Sequence, residues 1–263
     1  MLAPLTPSVC PGISFLLHPK LMVSTMCLQE LSCLTSLSAL DILHRPSDDP
    51  AYGFAGLAAL AAVTGLRSLQ FLGNGSGSIP HAVLGNLQNL TNLDIHIYDA
   101  NQQAPCILTS AHLAACSKLR QLRLKGVGLS FPEQQAATAW QHIEQLKLSL
   151  EEPHASQDAG FWDALPALPC LTRLVAYRLD ADSSWAVYRG VKRCSNLASL
   201  ALGNYSMSFL PPLNTTLTAL TLKACGKLCE PPVVTSLRSL SIKSWFPLLS
   251  WPVNTVLMEQ LTQ

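Results

Sequence analysis

The sequence predicts an α/β solenoid, in which short parallel strands line one face and helices or extended segments line the other. Two observations predict this fold class. Leucine accounts for 49 of the 263 residues, although in ordinary proteins it is only the commonest residue among several. The pattern L-x-x-L-x-L, with Ile, Phe or Ala at some sites, also recurs nine times. Its middle leucines are 20 to 29 residues apart, which is a period typical of stacked repeats.

The nine copies share a two-residue alternation inside the motif. In L-x-L, both leucines point to one side of a strand and the residue between them points to the other. One copy cannot bury its leucines alone, so neighbouring copies must stack and share a core. The middle leucines are Leu40, Leu69, Leu93, Leu122, Leu146, Leu174, Leu200, Leu220 and Leu240. A chain with this pattern resembles the leucine-rich repeat family, and the resemblance implies a right-handed horseshoe with its strands on the concave face.

Individual copies resemble different subtypes of that family. The segment LGNGSGSIPHAVLGNLQNLTNL, at 72–93, resembles a plant-type repeat. The segments that begin CSKL and CSNL, at Cys116 and Cys194, are similar to the cysteine-containing repeats of F-box proteins. In LTLKACGKL, Cys225 stands where many repeats carry Asn or Cys. The resemblance therefore implies an array of mixed subtype.

Repeat length predicts what crosses the convex face. The longer repeats leave room for helices, which we expect over 56–63, 110–117, 132–143 and 185–194. The last two repeats are only 20 residues long and contain the Pro-Pro pairs at 211–212 and 231–232. Proline disfavours a helix interior, so we expect extended segments in those two repeats.

The repeats divide the chain into three regions. The predicted solenoid of about nine repeats covers residues 28–245. An open solenoid exposes its core at both ends unless it is capped. Residues 246–263 carry Trp251 and several aliphatic residues without a clean repeat, and we predict that they form a C-terminal cap. Residues 1–27 are predicted to be either an N-terminal cap or the truncated edge of a longer protein.

Composition excludes several classes of protein. Hydrophobic residues make up 49% of the chain and charged residues 13%, which excludes a disordered chain. No uninterrupted apolar stretch reaches the length of a membrane span, so none is predicted. The net charge of +1 argues against a nucleic acid partner, because such binding depends on many basic contacts to phosphates.

Cysteines and glycosylation motifs favour different compartments. Cys116, Cys194 and Cys225 occupy repeat-core positions, where a small buried thiol needs neither a disulfide nor a metal. That usage favours a reducing compartment. We therefore expect a cytoplasmic protein, with association with the cytoskeleton or a cilium as one form. Secretion is the alternative, because sugar-accepting N-x-S/T motifs occur at Asn74, Asn89, Asn204 and Asn214.

No pattern of catalytic residues is present in the sequence. The motifs G-x-S-x-G, G-x-x-x-x-G-K-[ST] and H-E-x-x-H are all absent, and each carries a known chemistry. The glycine-rich segment at 73–77 leads into Ile79 and Pro80, so we interpret it as a repeat turn. The spacing of Cys194, Cys225 and Cys229 is unlike that of zinc fingers. The sequence predicts a protein that is not an enzyme and holds no cofactor or metal.

The outward positions of the predicted strands carry the candidate binding residues. Asp94 is followed one repeat later by Arg123 and Lys125, on a strand expected about 4.8 Å away. These charges form either a polar binding stripe or a solvated face with one weak ion pair. Residues 171–263 then hold 9 basic and 4 acidic residues, which favours an acidic protein partner. The candidates are Asp94, His96, Arg123, Lys125, Lys147, Arg173, Tyr177, Arg178, Lys223 and Lys243.

The predicted architecture favours protein binding over catalysis. A rigid concave sheet presents side chains in register at little ordering cost, and the resemblance implies a non-enzymatic protein-interaction scaffold. The cysteine-containing repeats imply one form of it, a substrate-recognition adaptor of the F-box type without a visible F-box. The plant-type repeat and the N-x-S/T motifs imply the alternative, an extracellular or receptor-derived recognition fragment. A purely structural element is a third possibility.

Overall fold

The computed structural model describes the strand of every predicted repeat. The described residues are 15–17, 37–43, 60–73, 81–97, 106–130, 140–149, 159–165, 168–177, 181–203, 213, 216–223 and 236–243. Their strands are β1 (Phe15–Leu17), β2 (Ala39–Leu43), β3 (Ser68–Gly73), β4 (Asn92–Ile97), β5 (Cys106–Thr109), β6 (Gln121–Lys125), β7 (Val127–Ser130), β8 (Gln145–Ser149), β9 (Arg173–Tyr177), β10 (Ser199–Gly203), β11 (Ala219–Lys223) and β12 (Ser239–Lys243). Their helices are α1 (His81–Asn86), α2 (Ser110–Leu113), α3 (Ala159–Ala164) and α4 (Ala181–Arg193).

Ten of these strands form one parallel sheet in chain order. The order is β1-β2-β3-β4-β6-β8-β9-β10-β11-β12, and β5 and β7 form a separate two-stranded parallel sheet. Parallel neighbours require the chain to cross back between strands, so each repeat makes one full coil of the solenoid. The predicted α/β leucine-rich-repeat solenoid is therefore confirmed.

The predicted middle leucines align strand by strand. Leu93, Leu122 and Leu146 are direct partners on β4, β6 and β8. The same register runs through the whole row from β2 to β12. The inward position two residues later forms a second row, and both rows are buried from β2 to β11. The predicted inward register is confirmed.

One strand of the sheet precedes the nine predicted ones. Phe15–Leu17 pairs in parallel with residues 40–42 of β2, and it lies inside the predicted N-terminal cap or edge at 1–27. The other residues of that segment lie outside the described part of the chain, as does the predicted cap at 246–263. The boundaries of the three regions stay predictions.

Backbone hydrogen bonds tie each repeat to the preceding one where its strand begins. The carbonyl of Arg67 accepts the amides of Thr91 and Asn92 at 2.8 and 3.0 Å. The hydroxyl of Thr91 donates to the same carbonyl at 2.9 Å. The paired backbone arrangement recurs at every junction from β2 to β12. These bonds satisfy backbone groups that stacking would otherwise leave unpaired.

Asparagine side chains also link neighbouring repeats. Asn89 Nδ2 donates to the carbonyl of Thr64 at 3.1 Å, and Asn196 Nδ2 donates to the carbonyl of Pro169 at 2.6 Å. Both asparagines directly precede the first leucine of their motif. The position predicted to carry Asn or Cys, represented by Cys225, lies outside the described residues.

The convex side is less regular than predicted. Helix α4 confirms the helix expected at 185–194 and begins four residues earlier. Helix α2 covers only the first half of the expected 110–117, and residues 140–143, expected to end a helix, form a turn. Helices α1 and α3 were not predicted. Residues 60–62 form a single 3₁₀ turn, and the rest of 56–63, residues 132–139 and the Pro-Pro pairs lie outside the described residues.

A turn that several repeats share explains why helix α2 ends before the predicted residue 117. The amide of Cys116 donates to the carbonyl of Leu113, and the amide of Leu119 donates to the carbonyl of Cys116. The same two three-residue steps lead into β3, β4 and β9. These residues form the turn that places the first leucine of the motif in the core, so they cannot also extend a helix. None of the described helices is long and apolar enough to cross a membrane.

Three large aromatic side chains belong to the same core as the leucines. Trp140, Phe161 and Trp162 are fully buried, and their rings contact edge to face at centroid distances of 6.5 and 4.8 Å. Helix α3 supplies two of the three, and α4 packs against α3. Gly190 of α4 faces the carbonyl oxygen of Trp162 so closely that a Cβ atom would collide with it. The helices therefore depend on a glycine at their contact.

Candidate functional site

The candidate site is the concave face, meaning the sheet face that carries the residues between and just after the inward leucines. Asp94, Arg123 and Lys147 are direct partners on adjacent strands, and His96 pairs with Lys125 in the next row. The strand pairing therefore places these predicted residues in two rows across the sheet. Their role in binding stays a prediction.

Charge changes sign once along the concave face. The first strands carry two carboxylates, Asp41 on β2 and Asp94 on β4. No outward position of the main-sheet strands from β6 to β11 carries a carboxylate. Those strands instead carry the cations Arg123, Lys125, Lys147, Arg173 and Lys223. The face is therefore acidic near its first strands and basic from β6 onward.

Asp94 lies at the boundary between the two halves. One carboxylate oxygen is 3.0 Å from His96 Nε2, and the other is 3.7 Å from Arg123 Nη1. The first oxygen forms no hydrogen bond with the described residues. Its contact with His96 Nε2 is an ion pair only when the imidazole is protonated. Arg123 is 51% exposed and Asp94 20%, and such an exposed pair contributes less than about 1 kcal/mol.

A shallow depression lies in the basic half. It is lined by Gln121, Leu122, Arg123, Gln145, Leu146, Lys147, Arg173, Val175 and Tyr177. The lining includes three cations, two amides and the outward Val175, which is only 7% exposed. Cations of this kind bind carboxylates through charge-assisted hydrogen bonds.

A side-chain contact between β9 and β11, which are separated by β10, borders this depression. Lys223 Nζ donates to Tyr177 Oη at 3.2 Å and lies 5.2 Å from the centre of the tyrosine ring. Gly203, on the strand between them, has no side chain, and a Cβ atom there would collide with the ring. The glycine lets the ring lie across β10 to reach β11. Tyr177 and Lys223 are both candidates from the sequence, but their contact was not predicted; the signal for it is Gly203, which lies in register between them.

Two predicted site residues are not fully described. Lys243 ends β12, and its backbone pairs with Lys223, but its side chain lies outside the description. Arg178 lies outside the described residues altogether. The structure therefore brings together Asp94, His96 and Arg123 at the boundary, and Arg123, Lys147, Arg173 and Tyr177 at the depression.

The two buried thiols, Cys116 and Cys194, are structural, whereas the free thiol of Cys170 is exposed. Cys116 Sγ donates to the carbonyl of Leu84 and Cys194 Sγ to that of Gly190, each at 3.3 Å. Burial raises the pKa of each thiol to about 11, so both are protonated at neutral pH and are poor nucleophiles.

Metal-ligating side chains are not clustered in the described part of the chain. Within it, no three His, Cys, Asp or Glu side chains are placed to hold a metal ion. Cys225 and Cys229, whose spacing was considered for zinc, lie outside it.

Comparisons with known proteins return similarity only to solved structures. No family model and no curated protein matches this sequence. The chain is similar to TLR13 in the structure of a TLR13–ssRNA13 complex, with 18% identity and a TM-score of 0.48, over 82% of this chain and 34% of that one. It is also similar to the plant peptide hormone receptor RGFR1 in complex with RGF2, with 16% identity and a TM-score of 0.38, over 81% and 29%. The chain thus spans about a third of the length of either protein, and its own strand register and buried leucine rows define it as a leucine-rich-repeat solenoid.

Proposed function

We propose that this chain is a non-enzymatic protein-interaction scaffold that binds a protein partner on its concave face. The observation that carries the proposal is the strand register, which sets rows of outward polar side chains above buried leucine rows. Because the core fixes the strand backbone from the other side, the outward residues lose little freedom when a partner binds.

The size of the concave face supports the proposal. Ten strands about 4.8 Å apart give a face roughly 43 Å long, and five residues per strand give a width of about 17 Å. The resulting area of about 700 Å² is close to the roughly 800 Å² that each partner buries in a standard protein–protein interface. A protein partner can therefore be held by this face alone.

As a more specific form of this function, we propose an intracellular adaptor of the F-box type. We place it in the cytoplasm, with association with the cytoskeleton or a cilium as one setting. Cys116 and Cys194 are buried free thiols, which suits a reducing compartment. Asn89 has a structural role that needs no sugar, because its Nδ2 atom donates to the carbonyl of Thr64 in the preceding repeat.

A receptor-derived extracellular fragment is the second candidate. It is favoured by the resemblance of 72–93 to a plant-type repeat and by the remaining N-x-S/T motifs. An F-box in an upstream stretch of the full-length transcript would support the adaptor, and a signal peptide there would support the fragment.

Site-specific photo-crosslinking tests the proposed function. A photoreactive amino acid replaces Ala201, which is half-buried on the concave side of β10, or Lys192, which is exposed on α4. We expect the probe at Ala201 to crosslink a defined protein in cells, and the probe at Lys192 not to capture the same protein. Equal capture from both positions, or none from Ala201, would contradict the proposal.

A further inference from the structure

We infer that the depression on β6, β8 and β9 binds an acidic polypeptide segment, an inference that rests on the proposed function and names the chemistry of its partner. Arg123, Lys147 and Arg173 are the recognition residues, and they lie on three consecutive strands of the main sheet.

The three cations are spaced for an extended acidic segment. Arg123 and Lys147 are direct partners, and Arg173 lies one strand further along, in register with Gln145. Two strand spacings make the patch roughly 10 Å across, and side chains on one side of an extended chain recur about every 7 Å. Two acidic residues of one segment can therefore reach the three cations together.

The charges of the depression are not balanced by the described protein. Lys147 and Arg173 form no ion pair with any described residue, and Arg123 reaches only Asp94, at 3.7 Å. The cations therefore repel one another when no anion is bound. Carboxylates would replace that repulsion with charge-assisted hydrogen bonds, while the half-exposed amides of Gln121 and Gln145 can pair with peptide groups of the segment.

The change of sign along the face favours a polypeptide over a nucleic acid. Asp94 lies beside Arg123, and Asp41 lies two strands beyond Asp94. A nucleic acid carries a negative charge at every nucleotide, so a strand that extends from the depression toward β4 and β2 would meet these carboxylates. A polypeptide can place acidic residues over β6, β8 and β9, and neutral or basic residues over β2 and β4.

Fluorescence anisotropy with labelled hexaglutamate tests the inference on the full chain. We expect hexaglutamate to bind at about 50 mM salt and to weaken as added salt screens the charges. Lys147→Glu should weaken binding by at least about fivefold, because an attractive contact becomes repulsive. Lys147→Gln should give an intermediate affinity. The matched control is Lys192→Glu, which makes the same change in net charge on exposed α4 and should change affinity by less than about twofold.

Other outcomes would overturn the inference. Equal weakening by Lys147→Glu and Lys192→Glu, or no binding of hexaglutamate, would overturn the site. A single-stranded oligonucleotide with six phosphates that binds more tightly than hexaglutamate would overturn the choice of partner. Crosslinking from Ala201 without hexaglutamate binding would reject this inference and leave the proposed function standing. Hexaglutamate binding without crosslinking would reject the proposed function, and with it the claim that the acidic segment belongs to a protein partner, while the affinity of the depression for carboxylates would stand.

Discussion

Replacing Leu122 by Ala is expected to lower the free energy of unfolding by about 2–5 kcal/mol. Leu122 is completely buried and is flanked in register by Leu93 and Leu146. The backbone bonds at both ends of the strand hold neighbouring coils at a fixed spacing, so the coils cannot close the cavity that the substitution leaves. Equilibrium denaturation in urea measures the loss.

The matched control is Asp41→Ala, an outward substitution on the same sheet. Asp41 is half-exposed, and exposed substitutions away from special contacts change stability by less than about 0.5 kcal/mol. If Leu122→Ala and Asp41→Ala cost the same, the assignment of inward and outward positions is wrong.

Replacing Gly190 by Ala is expected to lower the free energy of unfolding by about 1–3 kcal/mol, the usual cost of overpacking. Within a helix the same change normally stabilises by about 1 kcal/mol. At Gly190 we expect the cost of the steric collision to exceed this gain, because the added Cβ atom meets the backbone carbonyl of Trp162 on α3. A backbone carbonyl within a packed helix cannot swing aside as the end of a flexible side chain can. Thermal unfolding followed by circular dichroism should show a lower midpoint.

Gly85→Ala separates this collision from helix propensity. Gly85 also lies in a helix, α1, but an added Cβ atom there meets nothing within 4 Å. We expect that variant to be unchanged or to gain up to about 1 kcal/mol. If both glycine substitutions stabilise, the close contact between α3 and α4 does not exist in solution.

The concave side could be predicted from sequence because one local rule governs it. Alternation within L-x-L fixes which residues face the core, and the nine-fold recurrence fixes which positions become neighbours. The sequence alone therefore places Asp94, Arg123 and Lys147 in one row, and the strand pairing confirms that row.

The convex side could not be predicted in the same way. Its helix ends depend on turns that lead into the next strand, as at Cys116, and not on local helix propensity. Trp140, Phe161 and Trp162 come together through packing between segments that follow no repeat. The contact of Tyr177 with Lys223 likewise depends on a missing side chain at Gly203, which the periodic pattern does not encode.

Methyl–methyl nuclear Overhauser effects among Leu93, Leu122 and Leu146 test the central claim most directly. Adjacent strands are about 4.8 Å apart, and strands two apart are separated by about 10 Å. In protein with labelled leucine methyl groups, assigned by single substitutions, Leu122 should show strong cross-peaks to both Leu93 and Leu146. Cross-peaks between Leu93 and Leu146 should be weak. If Leu122 contacts neither of the other two, the repeats do not stack as described and the account of the concave face fails with them.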